Sequence, residues 1–358
     1  MTLAFDLPAG TDTAPLAPTP GRSAGATCAV RASIAVDPQH GAVVPPIHLS
    51  STFSFAAFGE KRRYDYTRSG NPTRDQLAEC LAQLEQGAGA VVTNTGMSAV
   101  TLALQLVPPG GRVLAAHDCY GGTQRLLRAL HARGQIVLEQ TDLSCTESLD
   151  TVARCRPDLL WVETPSNPLL RITDVRAVSA AGRAAGALVV VDNTFLSPAL
   201  QQPLTLGADL VVHSTTKYLN GHSDVVGGAV VAGDPAVVEA LTWWANCLGL
   251  TGAPFDSYLT LRGVRTLFAR LAVHEANAHQ VARMLDEHPA VSRVLYPGLP
   301  THPGHALAQT QQRGFGAMVS FELRGGVRSV ARVADALQHR CGWTPPRIGG
   351  EWSASTYG

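Results

Sequence analysis

At 358 residues, with 45% hydrophobic and 16% charged positions and a formal net charge of zero, the chain has the composition of a soluble globular protein with a full core and more than one domain. That balance lacks the basic footprint of a nucleic-acid or membrane-surface binder, and no apolar run approaches the length that spans a bilayer, so small neutral or zwitterionic partners are expected. Seven scattered cysteines, odd in number and without a CxxC pair, argue for a reducing compartment, and the chain is expected in the cytoplasm.

Residues 1–27, dominated by Pro, Ala, Thr and Gly, lack the basic opening and apolar core of a secretory signal and read as a disordered extension. From residue 74 the chain alternates helical and strand patterns. RDQLAECLAQLEQG sets Leu77, Leu81 and Leu84 on one helical face and stops at Gly87. GAVVT follows as a short buried strand, and TNTGMSA, Asn94 to Ser98, opens the next helix. Further strands are predicted at 112–116, 135–139, 158–163, 187–192 and 208–213, with helix-like segments between most of them. Continuous Val/Leu runs separated by amphipathic helices predict an α/β fold, a mostly parallel sheet covered by helices. After Gly228 a Trp- and Ala-rich helical stretch leads into a helical period over 253–288, read as one long helix at 258–290. It bridges to a smaller domain that starts near Val291 with VSRVLYPG and continues into the strand GFGAMVSFEL.

The chain has two lysines, Lys61 and Lys217, against 26 arginines. Arginine stays protonated and is a poor nucleophile, whereas a lysine amine can be tuned by burial to form a Schiff base. In open parallel sheets ligands gather at the carboxyl ends of strands. Asp192 ends ALVVVD; Ser214, Thr216 and Lys217 follow ADLVVH; Tyr120 follows another strand in HDCYGG. The segment holding Gly96 and Met97 presents a helix N-terminus, which suits a phosphate. One sheet edge thus collects a phosphate cradle, an aromatic ring, a carboxylate and an amine, the parts that pyridoxal 5'-phosphate (PLP) needs. Each alone has a plainer reading: Asp192 as a helix cap, the hydroxyls as turn residues, Gly96 as a bend, Tyr120 as rim packing.

Competing motifs fail. GAGAVV precedes its strand and lacks the third glycine of a dinucleotide loop; GMSAV lacks the closing glycine of a nucleophile elbow. HEANAH separates His274 and His279 by five positions, not the four that pair zinc ligands on one helical face, and HPGH at 302–305 reads as a solvated turn.

YDYTRSGNPTR, TNTGMSA, HDCYGG, ETPSNPLLRITD, VVDNTFLSPALQ, HSTTKYLNGHSD, WWANCLGLTG and FDSYLTLRGVRTL together closely resemble the Cys/Met-metabolism family of PLP enzymes, most of all its cystathionine-forming branch, over about residues 28–337. The resemblance implies the fold of type I PLP-dependent transferases. Residues 28–73 would contact a neighbouring subunit, 74–257 would form the PLP domain, and 291–358 an incomplete C-terminal domain. It implies that Lys217 is the Schiff-base lysine, that Asp192 partners the pyridine nitrogen, and that Tyr120 stacks on the ring and takes part in proton transfers. Backbone groups of Gly96 and Met97, with Ser214 and Thr216, would hold the phosphate. Tyr66 and Arg68 would reach the cofactor of a neighbouring copy, so the site is shared across a dimer, with a tetramer overall. Asn167 and Arg125 are expected on the substrate side, and no metal is expected.

The reaction implied is γ-replacement: O-succinylhomoserine exchanges its acyl group for the thiol of cysteine, giving cystathionine, in methionine biosynthesis. A lyase or a homoserine-ester sulfhydrylase is the alternative. The closing CGWTPPRIGGEWSASTYG departs from the family pattern, which continues into a strand whose arginine grips the substrate carboxylate. A truncation or frame change near Gln338 to Cys341 is expected, and with it the further alternative of a catalytically impaired remnant.

Overall fold

The structure, a computed structural model, describes residues 20–34, 37 and 39–341. The atypical tail after Cys341 lies outside the described residues, as do residues 1–19 of the expected extension. Residues 20–27 of that extension are helical, within α1 (Pro20–Arg31). Residues 39–71 then run as turns, bends and the isolated bridges Thr52–Tyr66 and Ala57–Glu60.

Helix α2 (Pro72–Glu85) starts two residues earlier than its periodicity suggests. Asn71 caps it, its side chain accepting the N–H groups of Thr73 and Arg74, and Pro72 occupies the first turn, where a missing N–H costs nothing. It ends on Gln86 in the left-handed conformation, φ 59°. Leu77, Leu81 and Leu84 are buried, each contributing about 1.5–3 kcal/mol. There follow β1 (Gly89–Thr93), α3 (Gly96–Leu104), β2 (Gly111–Ala116), α4 (Gly121–Ala132), β3 (Ile136–Thr141), α5 (Ser148–Cys155), β4 (Leu159–Glu163), α6 (Val175–Ala185), β5 (Leu188–Asp192), α7 (Ser197–Leu200), β6 (Leu210–His213) and β7 (Gly228–Ala232).

These strands form one seven-stranded sheet in the order β1-β7-β6-β5-β4-β2-β3. It is mostly parallel as expected; β7 alone runs antiparallel to both its neighbours. The reason lies in residues 214–227, which contain no helix to return the chain to the sheet's other end, so β7 leaves from the edge where β6 stops. That loop, with Lys217 on it, is thereby held at the carboxyl end of the parallel strands.

Strands β4, β6 and β7 are buried at every position, and the side chains of β6 and β7 alternate between two cores. Leu210, Val212, Val230 and Ala232 face the layer built on α3 and α6. Val211, Ala229 and Val231 face the layer of α2 and the later helices.

After β7 come α8 (Pro235–Leu248), α9 (Pro254–Val264) and α10 (Leu267–Asp286). The single helix expected at 258–290 is therefore two, broken at Arg265 and Thr266. The Gly263 carbonyl, which a continuing helix would offer to residue 267, accepts the Thr266 N–H and Oγ1 at 3.1 Å and Arg270 Nη2 at 2.9 Å. Gly263 also sits against the chain that follows Lys217: a Cβ there would lie 2.0 Å from Asn220 O. Gly263→Ala is expected to destabilise the protein by about 1–3 kcal/mol or more, because backbone opposes backbone and neither can yield. Urea denaturation of the holoprotein checks this. The chain continues through β8 (Val291–Leu295), α11 (His305–Gln311), β9 (Ser320–Leu323) and α12 (Gly326–Cys341), with β8 and β9 paired antiparallel. The strand expected over GFGAMVSFEL is confined to its last four residues. Among the described residues, no helix is long and apolar enough to cross a membrane.

Candidate active site

The carboxyl ends of β4, β5 and β6 bring Glu163, Asp192 and His213 side by side, with Glu163 in register with Asp192 and Asp192 with Val212. Asp192 Oδ1 accepts the Thr194 N–H at 3.0 Å, and Thr194 Oγ1 accepts the Ser214 N–H at 2.9 Å. Thr194, two residues after Asp192, thus ties β5 to the Lys217 loop.

Burial raises the Asp192 carboxyl pKa above its ordinary value, opposed by its hydrogen bonds from Thr194 and by the nearby His213. Burial likewise pushes Glu163 well up, and the charges of Asp192 and Asp118 add to it. Two enclosed carboxyls at adjacent strand ends are costly to ionise together, and a cationic ring nitrogen would relieve that cost. Lys217 is half-buried, and burial lowers its pKa below that of an ordinary lysine. Its loop is pinned by the Lys217 N–H to Ser214 O at 3.2 Å and by the Gly221 N–H to Lys217 O at 2.8 Å.

The α3 N-terminus abuts this loop. A Cβ on Gly96 would lie 2.8 Å from Ser214 Cβ and 2.9 Å from its Oγ, so only glycine lets the helix end meet the serine hydroxyl. Thr95 caps the helix, accepting the Ser98 N–H at 2.9 Å. Opposite stands Tyr120, the N-cap of α4, its ring over Gly122: a Cβ there would meet Tyr120 Cε1 at 2.5 Å and Met97 Sδ at 3.0 Å. An enclosed carboxylate, an amine with a depressed pKa, a helix N-terminus with a hydroxyl and an adjacent ring fit the ring nitrogen, aldehyde, phosphate and face of PLP.

Not every expected residue joins this group. The Thr216 hydroxyl donates to Gly227 O at 3.2 Å and accepts the Gly227 N–H at 3.0 Å. Its one proton is spent there, and a phosphate contact requires that proton to swing away. Tyr66 and Arg68 are exposed and lie together, the guanidinium 5.5 Å from the ring centroid, with Arg68 Nη1 donating to Asn246 O at 2.9 Å. Arg125 is exposed on α4, one turn past Tyr120. Asn167 lies with its main chain beside the Glu163 carboxyl.

Glu163 is a residue that the sequence reading passed over. A charged residue closing the otherwise apolar DLLWVE was the available signal. Glu85 and His213 are two more. Glu85 Oε1 accepts His213 Nε2 at 2.7 Å and Asn193 Nδ2 at 2.9 Å, with both ionisable side chains at most 1% exposed. They form a polar floor beneath Asp192.

Fold and donor set define a PLP-dependent enzyme of fold type I. The model of the Cys/Met metabolism PLP-dependent enzymes matches residues 26–341. Cystathionine γ-synthase of Escherichia coli (strain K12) is 52% identical over 313 residues, covering 87% of this chain and 81% of that protein. The crystal structure of cystathionine γ-synthase from Xanthomonas oryzae pv. oryzae in complex with aminoacrylate and cysteine has TM-score 0.87 and 59% identity, covering 91% of this chain and 84% of that one. The same enzyme in complex with cystathionine has TM-score 0.86 and 60% identity, covering 87% and 81%. The chain belongs to the Cys/Met metabolism family of PLP-dependent enzymes; it is of transferase type, with PLP as its cofactor and small amino acids as its substrate class.

Proposed function

We propose that the chain catalyses γ-replacement, converting O-succinylhomoserine and cysteine to cystathionine and succinate. The observation that carries this reading is the placement of Lys217, with its depressed pKa, on a loop tied through Thr194 to Asp192. The synthases from E. coli and Xanthomonas support the choice of reaction.

Lys217 and Asp192 would hold PLP at its aldehyde and ring nitrogen, Gly96, Met97 and Ser214 its phosphate, and Tyr120 its face. Bound there, PLP supplies an electron sink for the carbon next to the substrate amino group. Lys217, placed beside the reacting carbon, would accept the Cα proton and redeliver protons along the substrate chain; burial favours the neutral amine that this needs. The Cγ–O bond breaks with release of succinate, and the cysteine sulfur bonds to Cγ as its thiol proton leaves. Tyr120, 36% exposed, is open to the substrate side and shares in these proton transfers. Asn167 and Arg125 would contact the substrate, with Thr216 joining the phosphate once its hydroxyl turns. Exposed Tyr66 and Arg68 would complete the site of a second copy, in a cytoplasmic tetramer built from such dimers.

Purified holoprotein given O-succinylhomoserine with cysteine is expected to release cystathionine and succinate in equal amounts. Replacing cysteine with sulfide, or supplying cystathionine alone, is expected to turn over more slowly. Breakdown of cystathionine without any synthesis would assign the chain as a lyase instead.

A further inference from the structure

Glu163 occupies an unusual junction. It ends β4, is 6% exposed, and stands one strand over from Asp192. Its Oε2 accepts the Tyr120 N–H at 2.7 Å, and the main chain of Asn167 lies beside the same carboxyl. Tyr120 is an N-cap residue whose own side chain makes no capping bond, with φ −44° and ψ 131°. The start of α4 is therefore held by a carboxyl from a strand 43 residues away.

We propose that Glu163 is a positioning residue: by holding the main-chain N–H of Tyr120 with a buried carboxyl, it sets the tilt of the tyrosine ring over the cofactor. The inference rests on the reading of Tyr120 as the ring-facing residue. One feature beyond simple satisfaction of a buried N–H supports it: the bonded residue, Tyr120, is the N-cap of α4 and carries its ring over Gly122 beside Met97, at the candidate site. Burial, with the charges of Asp192 and Asp118, pushes the Glu163 carboxyl well above the usual carboxylate range. A glutamine keeps the length and an acceptor oxygen for the Tyr120 N–H, whereas an aspartate keeps the chemistry and loses the reach.

The test compares E163Q, E163D and E163A holoenzymes by visible circular dichroism of the bound cofactor without substrate, and by kcat and KM. E163A is expected to lose much of the cofactor's ellipticity and to lower kcat about tenfold or more, the worth of one buried hydrogen bond to the ring-bearing segment, with KM little changed. E163Q is expected to restore most of the ellipticity, and E163D to resemble E163A. Ellipticity and kcat of the parent in E163A, or E163D matching E163Q, would overturn the proposal; should E163A fail to fold, the glutamine–aspartate comparison decides alone. Tyr120→Ala separates the two levels. If it leaves ellipticity and kcat as in the parent, the reading of Tyr120 fails; if it changes both while E163A changes neither, only the positioning role falls. In the double variant, the loss of ellipticity should equal that of Tyr120→Ala alone.

Discussion

Lys217→Ala is expected to lower kcat by about 10²- to 10⁴-fold, the usual span for loss of a positioned acid–base group. The purified variant should also lack the visible absorbance of lysine-bound cofactor. Lys217→Arg should fare little better, because a guanidinium stays protonated and cannot take the Cα proton. The amine lies at the carboxyl end of β6, on a loop whose backbone is bonded at both Ser214 and Gly221, so truncation removes chemistry and leaves the loop in place. The pH dependence has a definite sign. Burial lowers the Lys217 pKa, so the neutral amine is reached at lower pH than for an exposed lysine. Activity that depends on it should rise with pH and level off below the ordinary lysine value of about 10.4. A parent-like absorbance band in Lys217→Ala would remove this residue from the cofactor.

Much of this architecture is legible in the chain because buried parallel strands must be apolar on both faces. The runs ending at Glu163, Asp192 and His213 stand out for that reason, and their shared edge follows from the topology they imply. What escapes the pattern is set by contacts remote in sequence. Apolar runs carry no strand direction, and β7, which is not among the strands expected from the sequence, is returned antiparallel because its preceding loop lacks a helix. The break between α9 and α10 depends on Asn220 and Arg270 meeting at Gly263, which a helical period cannot register. Thr216 was legible as a hydroxyl beside Lys217, yet its proton goes to Gly227, eleven residues on. Glu85 hid in a helix of alternating leucines and polar residues; its burial comes from β5 and β6 closing over the end of α2.

Glu85→Ala is expected to destabilise the protein by about 1–3 kcal/mol or more, the cost of leaving buried hydrogen-bond donors without their acceptor. The carboxyl is fully buried and accepts from His213 and from Asn193, so its loss strips two donors at once in a place that water does not reach. Asn193 retains Gln201 O, at 2.9 Å, as a second acceptor, whereas His213 Nε2 loses its 2.7 Å partner outright. The histidine should therefore dominate the cost. If so, pairing Glu85→Leu with His213→Leu should recover much of the stability, since apolar replacement of both partners is often neutral, while either single leucine should not. Urea denaturation at a fixed, saturating cofactor concentration measures the effect without confounding it with altered cofactor binding. A loss under about 1 kcal/mol in Glu85→Ala would mean that the pair is solvated in solution. In that case Asp192 would no longer stand on a dry floor, and the burial that raises its pKa would have to come from the cofactor side of the sheet edge alone.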